Sequence, residues 1–269
     1  DTACLIFNLE MSKEQLATRL LAIDSMVDSQ SIRTGELGDM DWDKLMESAG
    51  TLGRSKLIID DSSDLTISTL RSKCRKYKQS HDVGLIIIDY LQLMNASGMS
   101  FGSRQEEVST ISRSLKGLAK ELNIPIIALS QLNRGVENRE GEEGKRPQLS
   151  DLRESGAIEQ DADMVLFVHR PEYYHILHDE KGNDLRGMAQ IIIAKHRKGA
   201  TGDVLLTFRG EFTRFQDPEK QSAPIGDAPF GSEIIGSKMN GGSGMPLPPD
   251  LEGMPDDAPF GEPSSPAPF

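Results

Sequence analysis

No G-x-x-x-x-G-K-[ST] stretch occurs anywhere in the 269 residues, so the chain does not contain the usual loop for cradling phosphates between a strand and a helix. Cysteine is scarce: Cys4 lies in an apolar run and Cys74 in a basic helical pattern. Two thiols so placed make no disulfide framework and suit a reducing cytosol. Neither a signal peptide nor an apolar run of roughly 18 residues is present, which argues against secretion and membrane spanning. Basic excess is missing too. The formal net charge is -12, and an acidic body does not coat nucleic acid through bulk charge, so any such contact is local. The chain begins without Met inside ACLIFN, a start more natural for a fragment than for a mature terminus.

What the chain does have is a 37% apolar composition, enough for a real core, followed by an abrupt change. The 49 residues from Gln221 onward hold 10 Pro, 8 Gly and seven carboxylates against Lys238 alone. Such a composition reads as a disordered acidic tail. The expected division is therefore a folded domain over 1–220 and a tail over 221–269. DAPFG occurs twice in that tail, at 227–231 and 257–261, and the chain ends SPAPF. Acid followed by a Pro-Phe anchor suits a docking peptide as well as a solubilising tail.

Before the tail, short aliphatic runs alternate with helical periodicity, as in βαβ units around a mostly parallel sheet. Strands are expected over 3–8, 56–60, 84–90, 124–131, 164–169, 188–195 and 203–209. Helices should follow Ser12, a plausible N-cap, and run over 42–52, 66–79 and 104–122. The first should bury Leu16, Leu20, Leu21 and Ile23. KGATG at 198–202 is too short for a crossover helix and predicts a hairpin. The polar segment 132–150 predicts a mobile loop.

Three of these strands stop at a polar residue: FNLE ends at Glu10, LIIIDY carries Asp89, and ALSQ ends at Gln131. In an open α/β fold these share the rim where nucleotides bind. An aspartate after four aliphatic residues needs a cation or strong donors, and Mg²⁺ riding on a nucleotide is one such partner. A turn cap is an equal reading of Asp89 alone. Glu10 is placed to polarise a water, or only to favour a helix N-terminus. Gln131 can donate to a terminal phosphate. Lys195 and Arg197, two apart in an extended segment, project from one face and form either an arginine-finger pair or a solvated basic hairpin. The stretch Arg71, Lys73, Arg75, Lys76, Lys78 reads as the wet face of a helix. His175, His178 and Asp179 lie close in sequence without completing a zinc site.

Together the motifs resemble the bacterial replicative DNA helicase family, DnaB, among the RecA-like ring ATPases. The resemblance rests on FNLEMSKEQLATRLL, LIIIDYLQLM, LSQLNR, SDLRESGAIEQDADMVLFVHRPEYY and IIIAKHRKGATG, in that order over residues 1 to about 218. It implies a RecA-like fold with a C-terminal antiparallel hairpin, and a cytoplasmic, nucleoid-associated homohexamer using ATP and Mg²⁺ to move on single-stranded DNA, with primase and a loader as partners. Carried over by residue, Glu10 is the catalytic carboxylate, Asp89 the magnesium-binding aspartate acting through water, and Gln131 the phosphate sensor. Lys195 and Arg197 reach the neighbouring subunit's ATP, and Arg153, Glu154, Gly156 and Arg104 lie at the DNA. The family's phosphate loop and helical collar are not in this sequence, so the chain alone is expected to be inactive. A recombinase-type ATPase would share Asp89 and the sheet. A non-catalytic module pairing with a complete subunit is the remaining alternative.

Overall fold

Ala-Cys-Leu-Ile-Phe-Asn is aliphatic on both faces, the pattern of a strand covered on two sides, and it forms β1 (Ala3–Asn8) in the interior of a parallel sheet. The computed structural model describes residues 2–96, 101–179 and 181–218, with the backbone alone at 142, 143 and 153–155. β1 pairs in parallel with β2 (Leu57–Asp60) and β3 (Val83–Asp89), and β3 with β4 (Ile126–Ala128), giving the order β2-β1-β3-β4. The expected strand over 124–131 is therefore three residues long.

Helices join these strands, as parallel pairing requires. α1 (Lys13–Ser25) starts at Ser12, whose side chain accepts from Gln15 N while Gln15 returns a bond to Ser12 N. That reciprocal arrangement is the capping box. The helix buries Ala22 and Ser25 fully, and the expected Leu16, Leu20, Leu21 and Ile23 only partly. α2 (Ser29–Thr34), unforeseen, follows Asp28 as cap; α3 (Asp39–Arg54) overruns the expected limits at both ends, and α4 (Ile67–His81) at its C-terminal end. α5 (Arg104–Leu122) has the expected limits, set by Ser103 accepting from Glu106 N and by Asn123 in the left-handed conformation. Leu70, Cys74, Ile111 and Leu118 of α4 and α5 pack on Leu5, Phe7, Ile86 and Ile88 of the strands, all nearly free of solvent.

The 132–150 segment is built of short turns: a 3-10 stretch Arg134–Asn138, α6 (Glu142–Lys145), and a second 3-10 stretch Leu149–Ser155. α7 (Gly156–Asp161) leads into a separate antiparallel sheet, β5 (Met164–His169), β6 (Met188–His196), β7 (Gly202–Arg209) and β8 (Arg214–Gln216), in that spatial order. The β6–β7 connection is the expected hairpin. β5 alternates strictly, burying Val165, Phe167 and His169 while Met164, Leu166 and Val168 face outward. The chain is thus an α/β protein with a helix-flanked parallel sheet and a C-terminal antiparallel sheet. Asp1–Lys220 forms one compact unit; the tail expected over 221–269, with its DAPFG repeats, lies outside the described residues.

Candidate functional site

Parallel register puts the carboxyl ends of β1, β3 and β4 on one edge, with Asn8 opposite Asp89 and Ile88 opposite Ala128. Backbone bonds carry the ladder slightly further: Leu9 N to Asp89 O (2.7 Å), Leu129 N to Ile88 O (2.9 Å) and Leu91 N to Leu129 O (3.0 Å). Beyond this edge Glu10, Asp89, Tyr90, Leu129, Ser130 and Gln131 line one cleft of about 260 Å³. The three rim residues singled out in the sequence therefore converge.

Each is placed by a different device. Asn8, 1% exposed, turns the chain after β1: its Oδ1 accepts from Glu10 N (3.2 Å) and Met11 N (3.0 Å). α1 is then held from across the sheet end by Asp61, which accepts from Lys13 N at 3.0 Å. Glu10 is thus delivered to the cleft by its backbone. Asp89, half-buried, makes no salt bridge among the described residues. Burial raises its pKa, the Glu10 carboxylate adds to the rise, and Arg19 opposes it. Gln131 is fixed through Gln92, whose Nε2 donates to Ser130 Oγ (2.9 Å) and Gln131 O (3.3 Å) and whose Oε1 accepts from Gln131 N (3.3 Å). Gln92 escaped the sequence reading. The available signal was one amide inside the apolar run from Tyr90 to Met94.

The donor set suits a metal-bound polyphosphate. A partly desolvated aspartate with a carboxylate neighbour is short of positive charge, and Gln131 and Ser130 beside it bring polar groups to the same cleft.

Lys195 and Arg197 do share a side of the hairpin. Lys195 Nζ donates to Glu159 O and Arg197 Nη2 to Gln160 O, both at the end of α7, and Arg197 also faces Asp163 at 3.4 Å. Cations at a helix C-terminus are favourably placed. Between them His196 lies over Gly199, where a Cβ would come within 2.3 Å of the imidazole. Gly156 is exposed at the start of α7 with open space around it. Arg153 and Glu154 lie in the 3-10 stretch before it, and their side chains lie outside the description. That stretch is anchored by Asp151, only 5% exposed, which accepts from Arg139 and from Gln148 N. Arg104 has inward partners: Glu107, Gln92 O and Met94 O. One expected wet-face lysine is placed otherwise. Lys73 turns to Asp60 at the end of β2, 2.7 Å away, because the α4 side chain reaches the sheet edge.

Among the described residues no helix is long and apolar enough to cross a membrane. The family model for the DnaB-like helicase C terminal domain matches residues 1–217. The chain is 46% identical over 229 residues to replicative DNA helicase DnaC of Bacillus subtilis, covering 85% of this chain and 49% of that protein. It is 48% identical over 216 residues to replicative DNA helicase DnaB of Geobacillus stearothermophilus, covering 80% and 46%. The chain thus spans about half the length of these relatives. A solved ATPase domain superposes with a TM-score of 0.74 at 37% identity, over 81% of this chain and 75% of that one. A DnaB-like replicative helicase, studied for its interactions with primase, gives the same TM-score and identity over 81% of this chain and 51% of that one. The chain belongs to the DnaB-like helicase C-terminal domain family, a RecA-like ATPase domain of replicative DNA helicases.

Proposed function

We propose that this domain is the motor of a hexameric replicative helicase that hydrolyses ATP with Mg²⁺ to move along single-stranded DNA and part the duplex. The observation that supports this reading most is the convergence of Glu10, Asp89 and Gln131 on one cleft at the carboxyl ends of parallel strands. Bound MgATP would supply the phosphoryl group and the divalent charge. Asp89 would hold the metal through water, Glu10 would orient and deprotonate the attacking water, and the Gln131 amide would donate to the terminal phosphate. Lys195 and Arg197 would exchange the α7 carbonyls for the phosphates of a neighbouring subunit. The two α7 carbonyls are neutral oxygens, weaker acceptors than a phosphate, and Arg197 would also give up its 3.4 Å pairing with the exposed Asp163.

The backbone around Gly156, with Arg153 and Glu154 before it and Arg104 at the start of α5, is the proposed DNA-facing side. Primase and a loader are the proposed partners, primase because the structurally similar helicase was studied with it. The proposed setting is the cytoplasm. The 269-residue chain by itself, without a G-x-x-x-x-G-K-[ST] segment, should neither bind MgATP tightly nor hydrolyse it. The test is ATP hydrolysis by the native gene product that contains this domain. Glu10→Gln should lower kcat by about 100-fold or more while ATP binding persists, the loss that goes with removing a general base. A kcat unchanged in that variant would remove Glu10 from the chemistry and the reading with it.

A further inference from the structure

We infer that Gln92 is the positioning residue for Gln131 and that Arg104 holds Gln92 in place, so that the start of α5 is mechanically linked to the cleft. The inference rests on the proposed role of Gln131 and adds how that residue is set.

β4 ends at Ala128, and Leu129 is the last residue to join the ladder with β3. Past it, among the described residues, no neighbouring strand pairs the backbone of Gln131. The Gln92 side chain takes that place, accepting from Gln131 N and donating to Gln131 O, both at 3.3 Å, while also donating to Ser130 Oγ at 2.9 Å. A primary amide carries a donor and an acceptor side by side, so it can stand in for a peptide group of an adjoining strand. Asp and Glu lack the donor, and Ser lacks the reach.

Gln92 is itself tied from the other side. Its carbonyl accepts from Arg104 Nη2, and Met94 O accepts from the same nitrogen at 3.2 Å. Arg104 pairs with Glu107, and Glu107 Oε1 accepts from Ala96 N at 2.9 Å. Positions 92, 94 and 96 of the turn after β3 are all fastened to the first turn of α5. None of these partners of Arg104 belongs to 129–133, yet a shift of α5 would move the Gln92 backbone, and through it the amide. Bonds of 3.3 Å sit at the long end of the useful range, so a small displacement opens them.

Amide hydrogen exchange on the 269-residue chain tests this without catalysis. Gln92→Ala should speed exchange of the Gln131 amide about tenfold or more, whereas the Leu129 amide, bonded to Ile88 O, keeps its rate. Gln92→Glu, which retains the acceptor but not the donor, should keep the Gln131 amide protected. Arg104→Ala should speed the same amide severalfold from a distance. Gln131 exchange unchanged in Gln92→Ala refutes the positioning role; exchange unchanged in Arg104→Ala refutes the linkage. In the native helicase, Gln92→Ala should lower kcat with the KM for ATP nearly constant. If exchange responds as expected but kcat does not, the clamp stands and the assignment of Gln131 to the phosphate is what fails.

Discussion

Asp60→Asn separates the two aspartates that end aliphatic strands, one held by its own chain and the other not. Asp60 Oδ1 accepts from Ser62 N (3.2 Å), Ser62 Oγ (2.6 Å) and Lys73 Nζ (2.9 Å), and Oδ2 accepts from Lys73 Nζ at 2.7 Å. Its side chain is 9% exposed and that of Lys73 29%. Burial alone would raise the Asp60 pKa, but the bonds from Lys73 and Ser62 outweigh it and hold the carboxyl below its ordinary range. Breaking a buried ion pair from one side costs about 3–5 kcal/mol. Lys73 keeps some water and Asn keeps an acceptor for Ser62, so the expected loss is about 2 kcal/mol. For a body of this size that is a fall in Tm of about 4–8 °C. Asp89→Asn removes no ion pair and relieves both burial of a charge and repulsion from Glu10, so its effect should lie within about 0.5 kcal/mol or be stabilising. Urea unfolding of both variants at pH 7, followed by circular dichroism, makes the comparison.

The pH dependence has opposite sign for the two. Asp60 has a depressed folded pKa, so its contribution is complete above the unfolded value of about 3.9 and fades as pH falls through the folded one. Asp89 has a raised folded pKa, so between the unfolded and folded values the native state binds more protons, and its penalty grows as pH rises through that window. The gap between wild type and Asp60→Asn should therefore close on acidification below pH about 4. A loss from Asp89→Asn as large as that from Asp60→Asn would show that the cleft carboxylate is structural, and would refute the contrast.

Other outcomes are expected from single features. Ser12→Ala removes the capping box of α1 and should lower stability by about 1 kcal/mol in the same urea assay. Ile88→Ala empties a fully buried position beside the cleft and should cost about 2–5 kcal/mol, with Ile88→Val far milder. The Cys74 thiol is pushed up to about 12 by burial and by the Asp60 charge, and burial raises Cys4 as well. In a disulfide-exchange assay at a pH of about 8 both should react slowly in the native chain and fully in guanidinium.

The parts legible in the sequence were those decided within a few residues. Aliphatic runs placed β1, β3 and β5, Ser12 marked the start of α1, and apolar periodicity gave the limits of α5. Glu10, Asp89 and Gln131 were found because a parallel sheet collects its carboxyl ends on one edge. What escaped depends on contacts distant in sequence. Lys73 looked like one more solvated lysine, since nothing local reveals that Asp60 lies beside it. The partners of Lys195 and Arg197 on α7 are 36 and 37 residues away. α2 and β8 are too short to show a period, and β4 was overdrawn because Leu129 continues its aliphatic pattern after regular pairing stops.

The bare backbone at Gly199 limits how this hairpin can change. A larger residue there would require the His196 imidazole to turn aside, a shift that begins one position from Arg197. Variation in the tip's reach is therefore easier through the length of the turn than through bulk at its middle. A graft of this hairpin onto another scaffold keeps that contact only if His196 and Gly199 travel together.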